Sequence, residues 1–369
     1  MIVPDLYNYI TSLGGGEYKG FIISLFTVTA GLSRPFSGRL SDTIGRIPVM
    51  IVGAGVCFIM GFLYPMVGTV WALLLLRFLH GFSTGFKPTG TSAYIADIVP
   101  ANRRGEAMGF SGLFGSLGMA AGPAIGPKIA VWYGLDVMFY ASSAAAILSV
   151  LILIGMKETL QNKVKFHPRL LLIKPSEIIE TRVYNPSILF LLTSFSFGTV
   201  LTLVPDLTVS LGYSEGDKGI FFTVFVFSSL IIRLLAGKAS DKYGRVIVLK
   251  VATLFIVFSD LLIAFTHTPF MLMVSAVFFG VSVGMNTPTI YAWTIDLSQD
   301  HLRGKGLATM YIALEIGIGL GALVSGWIYG NHIENLREAF ITCAVLSLIG
   351  FLFLNFGLNL TKRFVKPSL

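Results

Sequence analysis

Several charged side chains sit inside long apolar stretches of this chain, and their chemistry needs a reason. Arg77 and His80 lie in the stretch 70–96, with Lys87 ten residues before Asp97. Glu315 lies twelve residues beyond Arg303, and Asp5 falls near the start of the chain. On insertion scales a charge at the centre of a bilayer costs about 2.5–3.5 kcal/mol, so each such group should pair, bind a ligand or carry a proton. At about 1.5 Å of rise per residue, Lys87 and Glu315 reach roughly 15 and 18 Å into their helices, a similar depth. Both are expected to face a central cavity, where they either pair or bind charged substrate and protons. A purely structural buried pair is the alternative. If they pair in one state only, protonating Glu315 shifts the balance between states. His80 either titrates near neutral pH or stays neutral and hydrogen-bonded. Asp260 is a weaker candidate within a span, and Asp206 lies close to the outer surface.

A second set of polar residues occurs twice. Arg34, Gly38, Asp42, Gly45 and Arg46 recur as Arg233, Gly237, Asp241, Gly244 and Arg245, at a constant offset of 199 residues. The same offset relates Gly81 to Gly280, Asp97 to Asp296, Arg104 to Arg303, Gly118 to Gly317 and Gly122 to Gly321. A chain duplicated in register consists of two like-built halves, and in membranes that architecture points to a transporter with its path between them. Arg34, Gly38 and Asp42 are spaced i, i+4, i+8, on one face of a helix end. Gly38 lets a neighbouring helix approach, and Gly45 permits a sharp turn. Asp42 can accept from Arg46 or from helix N-terminal amides. Asp97 is placed to join that network.

The elements that position these groups are membrane helices. The chain is 54% hydrophobic and 12% charged, with 30 Phe and 40 Gly, whereas soluble domains carry roughly 25% charged residues. About 20 apolar residues make one helical span. Hydropathy places spans near 20–38, 48–67, 70–96, 104–130, 136–156, 186–210, 218–237, 247–266, 269–296, 304–330 and 338–359. Residues 1–13 read as part of one more. Val3-Pro4-Asp5-Leu6 matches Val204-Pro205-Asp206-Leu207, so the repeat implies about 17 missing residues of a first span. A cleaved signal peptide is the poorer explanation of Met1–Leu13. The halves are then residues 1–156 and 185–369, joined by a polar linker, 157–184. Within the linker, 176–182 is either a short interfacial helix or solvated chain.

If the Asp42 loop is cytoplasmic, that side carries 19 Lys and Arg against four on the other, as the positive-inside rule requires. The net charge of +8 therefore reads as topology and lipid contact, not nucleic-acid binding. Cys57 and Cys343 fall within spans as packing residues rather than a disulfide. Gly237-Lys238-Ala239 lacks the hydroxyl of a P-loop, and no metal-ligand spacing or Ser-His-Asp set is present. No catalytic residue, metal or cofactor is expected. Gly112, Gly115, Gly118, Gly122 and Gly126 form a small-residue face suited to close helix packing and to sliding, and Gly317, Gly319, Gly321 and Gly326 do the same later.

The segment Gly38-Arg39-Leu40-Ser41-Asp42-Thr43-Ile44-Gly45-Arg46 resembles the signature loop between the second and third helices of the major facilitator superfamily. Gly237-Lys238-Ala239-Ser240-Asp241-Lys242-Tyr243-Gly244-Arg245 is its second-half counterpart. The resemblance implies an all-α integral membrane fold of two pseudo-symmetric six-helix bundles, here eleven full spans plus a stub. It also implies a cytoplasmic latch that stabilises the outward-facing state. Its members would be Gly38, Asp42, Gly45, Arg46 and Asp97 and, by symmetry, Gly237, Asp241, Gly244, Arg245 and Asp296. A static loop clamp is the plainer alternative. Arg77-Phe78-Leu79-His80-Gly81 resembles the Arg-x-x-Gln-Gly motif of the family's drug/proton antiporters, with His80 where Gln is usual; the family links such an Arg to proton coupling with an acidic partner. Gly118-Met119-Ala120-Ala121-Gly122-Pro123-Ala124-Ile125-Gly126-Pro127 resembles the fifth-helix antiporter motif, with Pro127 in place of its last Gly. Pro123 should bend that helix.

Together these features imply a proton-coupled efflux transporter for a small molecule, working as a monomer by alternating access in a bacterial inner membrane. The alternatives are proton-coupled nutrient uptake, a non-transporting membrane sensor, or a truncated, inactive chain.

Overall fold

A computed structural model describes residues 2–15, 18, 21–174, 178–213, 219–330 and 332–358. Twelve α-helices of ten residues or more appear among them. The first six are α1 (Val3–Ser12), α2 (Phe21–Thr43), α3 (Arg46–Leu63), α4 (Val70–Ile98), α5 (Arg104–Tyr133) and α6 (Leu135–Ile154). The second six are α7 (Tyr184–Ser210), α8 (Ile220–Tyr243), α9 (Arg245–Ala264), α10 (Pro269–Leu297), α11 (Arg303–Tyr329) and α12 (Leu336–Leu352). Gly45 and Gly244, at φ 129° and 91°, make the tight turns into α3 and α9. A side chain at either would be strained.

The described residues form two compact units. One comprises Met1–Ile98, Leu117–Ile179 and Gln299–Ile312; the other comprises Val99–Ser116, Glu180–Ser298 and Ala313–Leu369. Helices α5 and α11 thus begin in one unit and end in the other. In the first unit α4 packs on α2 and α3, and α3 on α6; in the second α10 packs on α8 and α9, and α9 on α12. The duplication reaches the cores. Leu6, Ile22, Leu73 and Phe139 are buried together in the first unit. Phe221 and Leu272, 199 positions on from Ile22 and Leu73, are buried together in the second with Leu207 and Phe340, 201 positions on from Leu6 and Phe139.

Large apolar side chains also lie on the outside: Trp327 is 79% exposed and Ile231 73%. Water would penalise such a surface, and lipid would not. Seven helices among the described residues are long and apolar enough to cross a membrane, and α8, bent by 43°, would be an eighth. Helix α4 falls outside that set because Arg77, His80, Lys87 and a run of hydroxyl residues dilute its apolar content.

The linker is held to the first unit. Val164 N donates to Thr43 O at 2.8 Å, and Arg39 Nη1 donates to Leu172 O at 3.0 Å. Of the expected 176–182 helix, Ser176 and Glu177 lie outside the described residues, while Thr181–Val183 forms a single 3₁₀ turn.

Candidate functional site

The repeated loops build two equivalent ionic clusters, one per unit. In the first, Asp42 sits at the end of α2 and reaches the first turn of α11. Its Oδ1 accepts from Gly304 N at 2.7 Å and its Oδ2 from Lys305 N at 2.8 Å. These amides have no partner within their own helix, and a carboxylate there also meets the positive end of the helix dipole. Arg46, 1% exposed, binds Asp42 at 2.6 Å and Asp97 at 3.0 Å. Asp97 in turn accepts from Arg303 Nη1 at 2.6 Å and from Thr159 Oγ1 at 2.7 Å. Burial works against the Asp97 charge, but the bonds from Arg46, Thr159 and Arg303 outweigh it and hold this carboxyl, at the last turn of α4 beyond the apolar stretch, below the ordinary range. Gly38 is required by proximity: a Cβ there would meet Ala308 Cβ at 2.7 Å and Gly304 O at 2.9 Å.

The second cluster repeats the Asp–Arg–Asp–Arg pattern of the first. Asp241 accepts from Gly105 N and Glu106 N, both at 2.9 Å, at the first turn of α5. Arg245 bridges Asp241 and Asp296, and Arg104 Nη1 donates to Asp296 at 3.0 Å. Gly237 lies against the Gly105 backbone as Gly38 does against Gly304.

Sequence reasoning missed Glu158. Its Oε1 accepts from Arg46 N, Thr159 N and Leu160 N at 2.9–3.0 Å, and its Oε2 accepts from Ile47 N at 3.0 Å. It therefore caps α3 from outside and ties the linker to the first cluster, and a Cβ on Gly45 would strike its carboxylate. Among the described residues, no side chain accepts from Arg245 N, so the second cluster lacks this clamp. The signal available in the sequence was an acid directly following an apolar span.

The membrane-depth residues form no single site. Arg77 is buried on the first unit's α4; its Nε donates to Ile22 O at 3.0 Å, and its guanidinium lies 4.5 Å from the Phe26 ring centroid. His80 Nδ1 shares a 3.1 Å hydrogen bond with the Tyr64 hydroxyl. Asp5 is half-buried on α1 with Oδ2 unpartnered, and no ion pair joins it to Arg77 among the described residues. Lys87, expected to face a central cavity, is exposed, and its Nζ donates to Ser149 Oγ of α6 at 2.8 Å. The tight packing of α3 on α4, with Gly53 against the Lys87 backbone, turns this side chain toward α6. Glu315, its expected partner, is half-buried in the other unit.

The glycine faces also differ. Gly317 packs on Leu191 O and Gly321 on the Phe195 backbone, both of α7. Gly115 and Gly118 of α5 meet nothing within 4 Å, contrary to the expected close packing. The helix segment that covers α11 has no counterpart among the described residues of the first unit, where α1 spans ten residues. Gly122 is half-buried and Gly126 buried, whereas the Pro123 side chain, with any bend it imposes, lies outside the described residues.

Comparison with known proteins places this architecture. The family model described as Major Facilitator Superfamily matches residues 1–184 and again 186–367. A multi-drug resistance efflux pump PmrA homolog of Lactococcus lactis is 28% identical, over 98% of this chain and 92% of the relative. The multi-drug resistance efflux pump PmrA of Streptococcus pneumoniae is 31% identical, over 88% and 82%. Multidrug resistance protein MdtG of Escherichia fergusonii is 27% identical, over 96% and 89%. Among solved structures, the human organic anion transporter MFSD10 aligns with a TM-score of 0.80 at 19% identity, covering 95% of this chain and 88% of that one. The proton:xylose symporter XylE aligns with a TM-score of 0.80 at 17% identity, covering 96% and 90%. At such identities these structures share the fold. Both halves of this chain match the family model and both carry its signature loop in the same ionic arrangement: the chain belongs to the major facilitator superfamily, whose members are membrane transporters rather than enzymes.

Proposed function

We propose that this protein is a secondary transporter of a bacterial inner membrane that exports small drug-like molecules in exchange for protons. The halves 1–156 and 185–369, joined by the 157–184 linker, are its moving parts, and it works as a monomer by alternating access. The span count that accompanies this reading is eleven plus the α1 stub.

The observation that carries it is the pair of latches. Each signature Asp closes on two backbone amides at the first turn of a helix, Asp42 on α11 and Asp241 on α5. Each tie joins a residue of 1–156 to one of 185–369, Asp42 to Gly304 and Gly105 to Asp241, so both must open before those halves can rearrange. A clamp that served only to fix a loop would not need to grip these two helices. The signature-loop resemblance links such a latch to the outward-facing state. The efflux direction and drug-like substrate class rest on the likeness to multi-drug resistance efflux pumps, and the antiporter-like segment Gly118–Pro127 points the same way.

The test is a growth-inhibition panel of amphipathic cations and antibiotics in an efflux-deficient bacterial host expressing the gene, paired with dye accumulation in inverted vesicles. Raised tolerance, with accumulation abolished by dissipating the pH gradient, supports the proposal. Accumulation in right-side-out vesicles only would reverse the direction.

A further inference from the structure

The second unit contains a fully buried carboxylate that the latches do not use. Asp260, on α9, is 0% exposed. Its Oδ2 accepts from Ser196 Oγ of α7 at 2.7 Å and lies 3.4 Å from Ser347 Oγ of α12. The two serine oxygens are themselves 3.2 Å apart. Its Oδ1 has no hydrogen-bond partner. The ionisable group facing it is the Cys343 thiol of α12. Among the described residues, no Lys, Arg or His on α7, α8, α10 or α12 makes an ion pair with Asp260, and no cluster of metal-type ligands lies there.

A bare carboxylate in such a place is prohibitively unfavourable. Two hydroxyls cannot replace a counter-cation, and one oxygen is left without any partner. A protonated carboxyl is acceptable there, since it is neutral and, with its proton on Oδ2, can donate to Ser196 Oγ, whose hydroxyl then turns to Ser347 Oγ. The fold does not require an acid at this point. The residue 199 positions earlier is Gly61, which packs against Ser143 at the equivalent place on α3. The carboxyl is therefore an addition to the duplicated framework rather than part of it.

We propose that Asp260 is a proton-binding site seated between α7, α9 and α12, which takes up and releases a proton as those helices shift against one another. This rests on the proton-coupled reading above and assigns its proton to a site away from Lys87 and Glu315. In the conformation described here the carboxyl is closed off from solvent and holds its proton. Separation of α7 from α9 would admit water to Oδ1 and stabilise the charged form.

The test is infrared difference spectroscopy on the purified full chain in lipid nanodiscs, wild type against Asp260→Asn, and needs no substrate. A carboxylic-acid carbonyl band at neutral pH, absent from the variant, is expected; its absence from the wild type would overturn the site. Should Asp260→Asn fail to fold, Ser347→Ala keeps the carboxyl and should move the frequency of the same band. The midpoint of the band is then titrated in Arg303→Ala, which breaks the first latch. A shift of at least about one pH unit shows that proton affinity follows conformation, and an unmoved midpoint would reduce Asp260 to a static buried acid. Direction of transport and substrate class enter neither measurement, so the export proposal can fail while this one stands.

Discussion

Arg303 stands 2.6 Å from Asp97, and the pair joins the first turn of α11 to the last turn of α4. The repeat of that pair, Arg104 and Asp296, stands at 3.0 Å in a wetter setting. Asp97 is 12% exposed and Asp296 30%, and their bridging arginines are 1% and 11% exposed. The two clusters share a design and differ in burial, and removing one partner from the drier cluster leaves the other charges harder to compensate.

Asp97→Asn should therefore release more than Asp296→Asn. The first substitution leaves Arg46 and Arg303 without a shared anion. It should shift the equilibrium toward the cytoplasm-open state by about 1–3 kcal/mol, the range of ordinary allosteric couplings. The second should shift it less. Reactivity of a cysteine placed on the cytoplasmic side of α11, measured with an impermeant thiol reagent, reads the difference. Equal shifts would deny the asymmetry.

Glu158 accepts from two backbone amides at the start of α3 and from two that follow it in the linker. Glu158→Ala should lower stability by about 0.5–2 kcal/mol, as the loss of a helix cap does. Because Glu158 also orders Thr159, which binds Asp97, the variant should loosen the first latch and leave the second unchanged. Thermal melting and the same cysteine assay, applied to each latch, separate the two effects.

Much of this was legible in the residues themselves. The constant offset between Arg34–Arg46 and Arg233–Arg245 reveals the duplication, and an Asp four residues before an Arg at a helix end marks the ion pairs Asp42–Arg46 and Asp241–Arg245. Helix periodicity alone could not say which face of α4 carries Lys87. That depends on how α3 and α6 pack on α4, with Gly53 against the Lys87 backbone, a tertiary fact. What Glu158 binds could not be read from its position, because Arg46 N and Ile47 N lie more than a hundred positions away. Asp260 looked marginal because burial on all sides is invisible in one dimension.

Gly38 and Gly118 make a matched test of close packing. A side chain at Gly38 would collide with Ala308 and the Gly304 backbone, while Gly118 meets nothing within 4 Å. Gly38→Val should abolish latch closure and transport. Gly118→Ala should fold as well as the parent, since alanine gains up to about 1 kcal/mol over glycine within a helix. Expression level and melting temperature report on folding, and dye efflux reports on the latch.

Lys87 bonds to Ser149 on the α6 side of α4. If that contact is all it makes, Lys87→Met should change transport by less than about twofold, as a surface contact worth roughly 0–1 kcal/mol would. Its pH profile should be unchanged. A shifted profile would return Lys87 to the proton path.

Tyr64 joins two polar residues that sequence reading treated separately. Its hydroxyl contacts His80 Nδ1 at 3.1 Å and Arg77 Nη1 at 3.5 Å, within a 0%-exposed side chain that also stacks on Phe139. Tyr64→Phe keeps the ring and removes only the bridge. His80 then loses its partner in a buried place, at a cost of about 1–3 kcal/mol for an unsatisfied polar group. Arg77→Lys should do comparable damage by another route. A lysine keeps the charge but lacks the planar fork that reaches Ile22 O and Tyr64 together while lying on Phe26. If the cluster only stabilises the fold, both variants lose melting temperature and transport in proportion. If Arg77 takes part in coupling, Arg77→Lys loses gradient-driven efflux while keeping substrate exchange, and Tyr64→Phe loses neither selectively. Proteoliposome assays with and without a pH gradient distinguish the two outcomes.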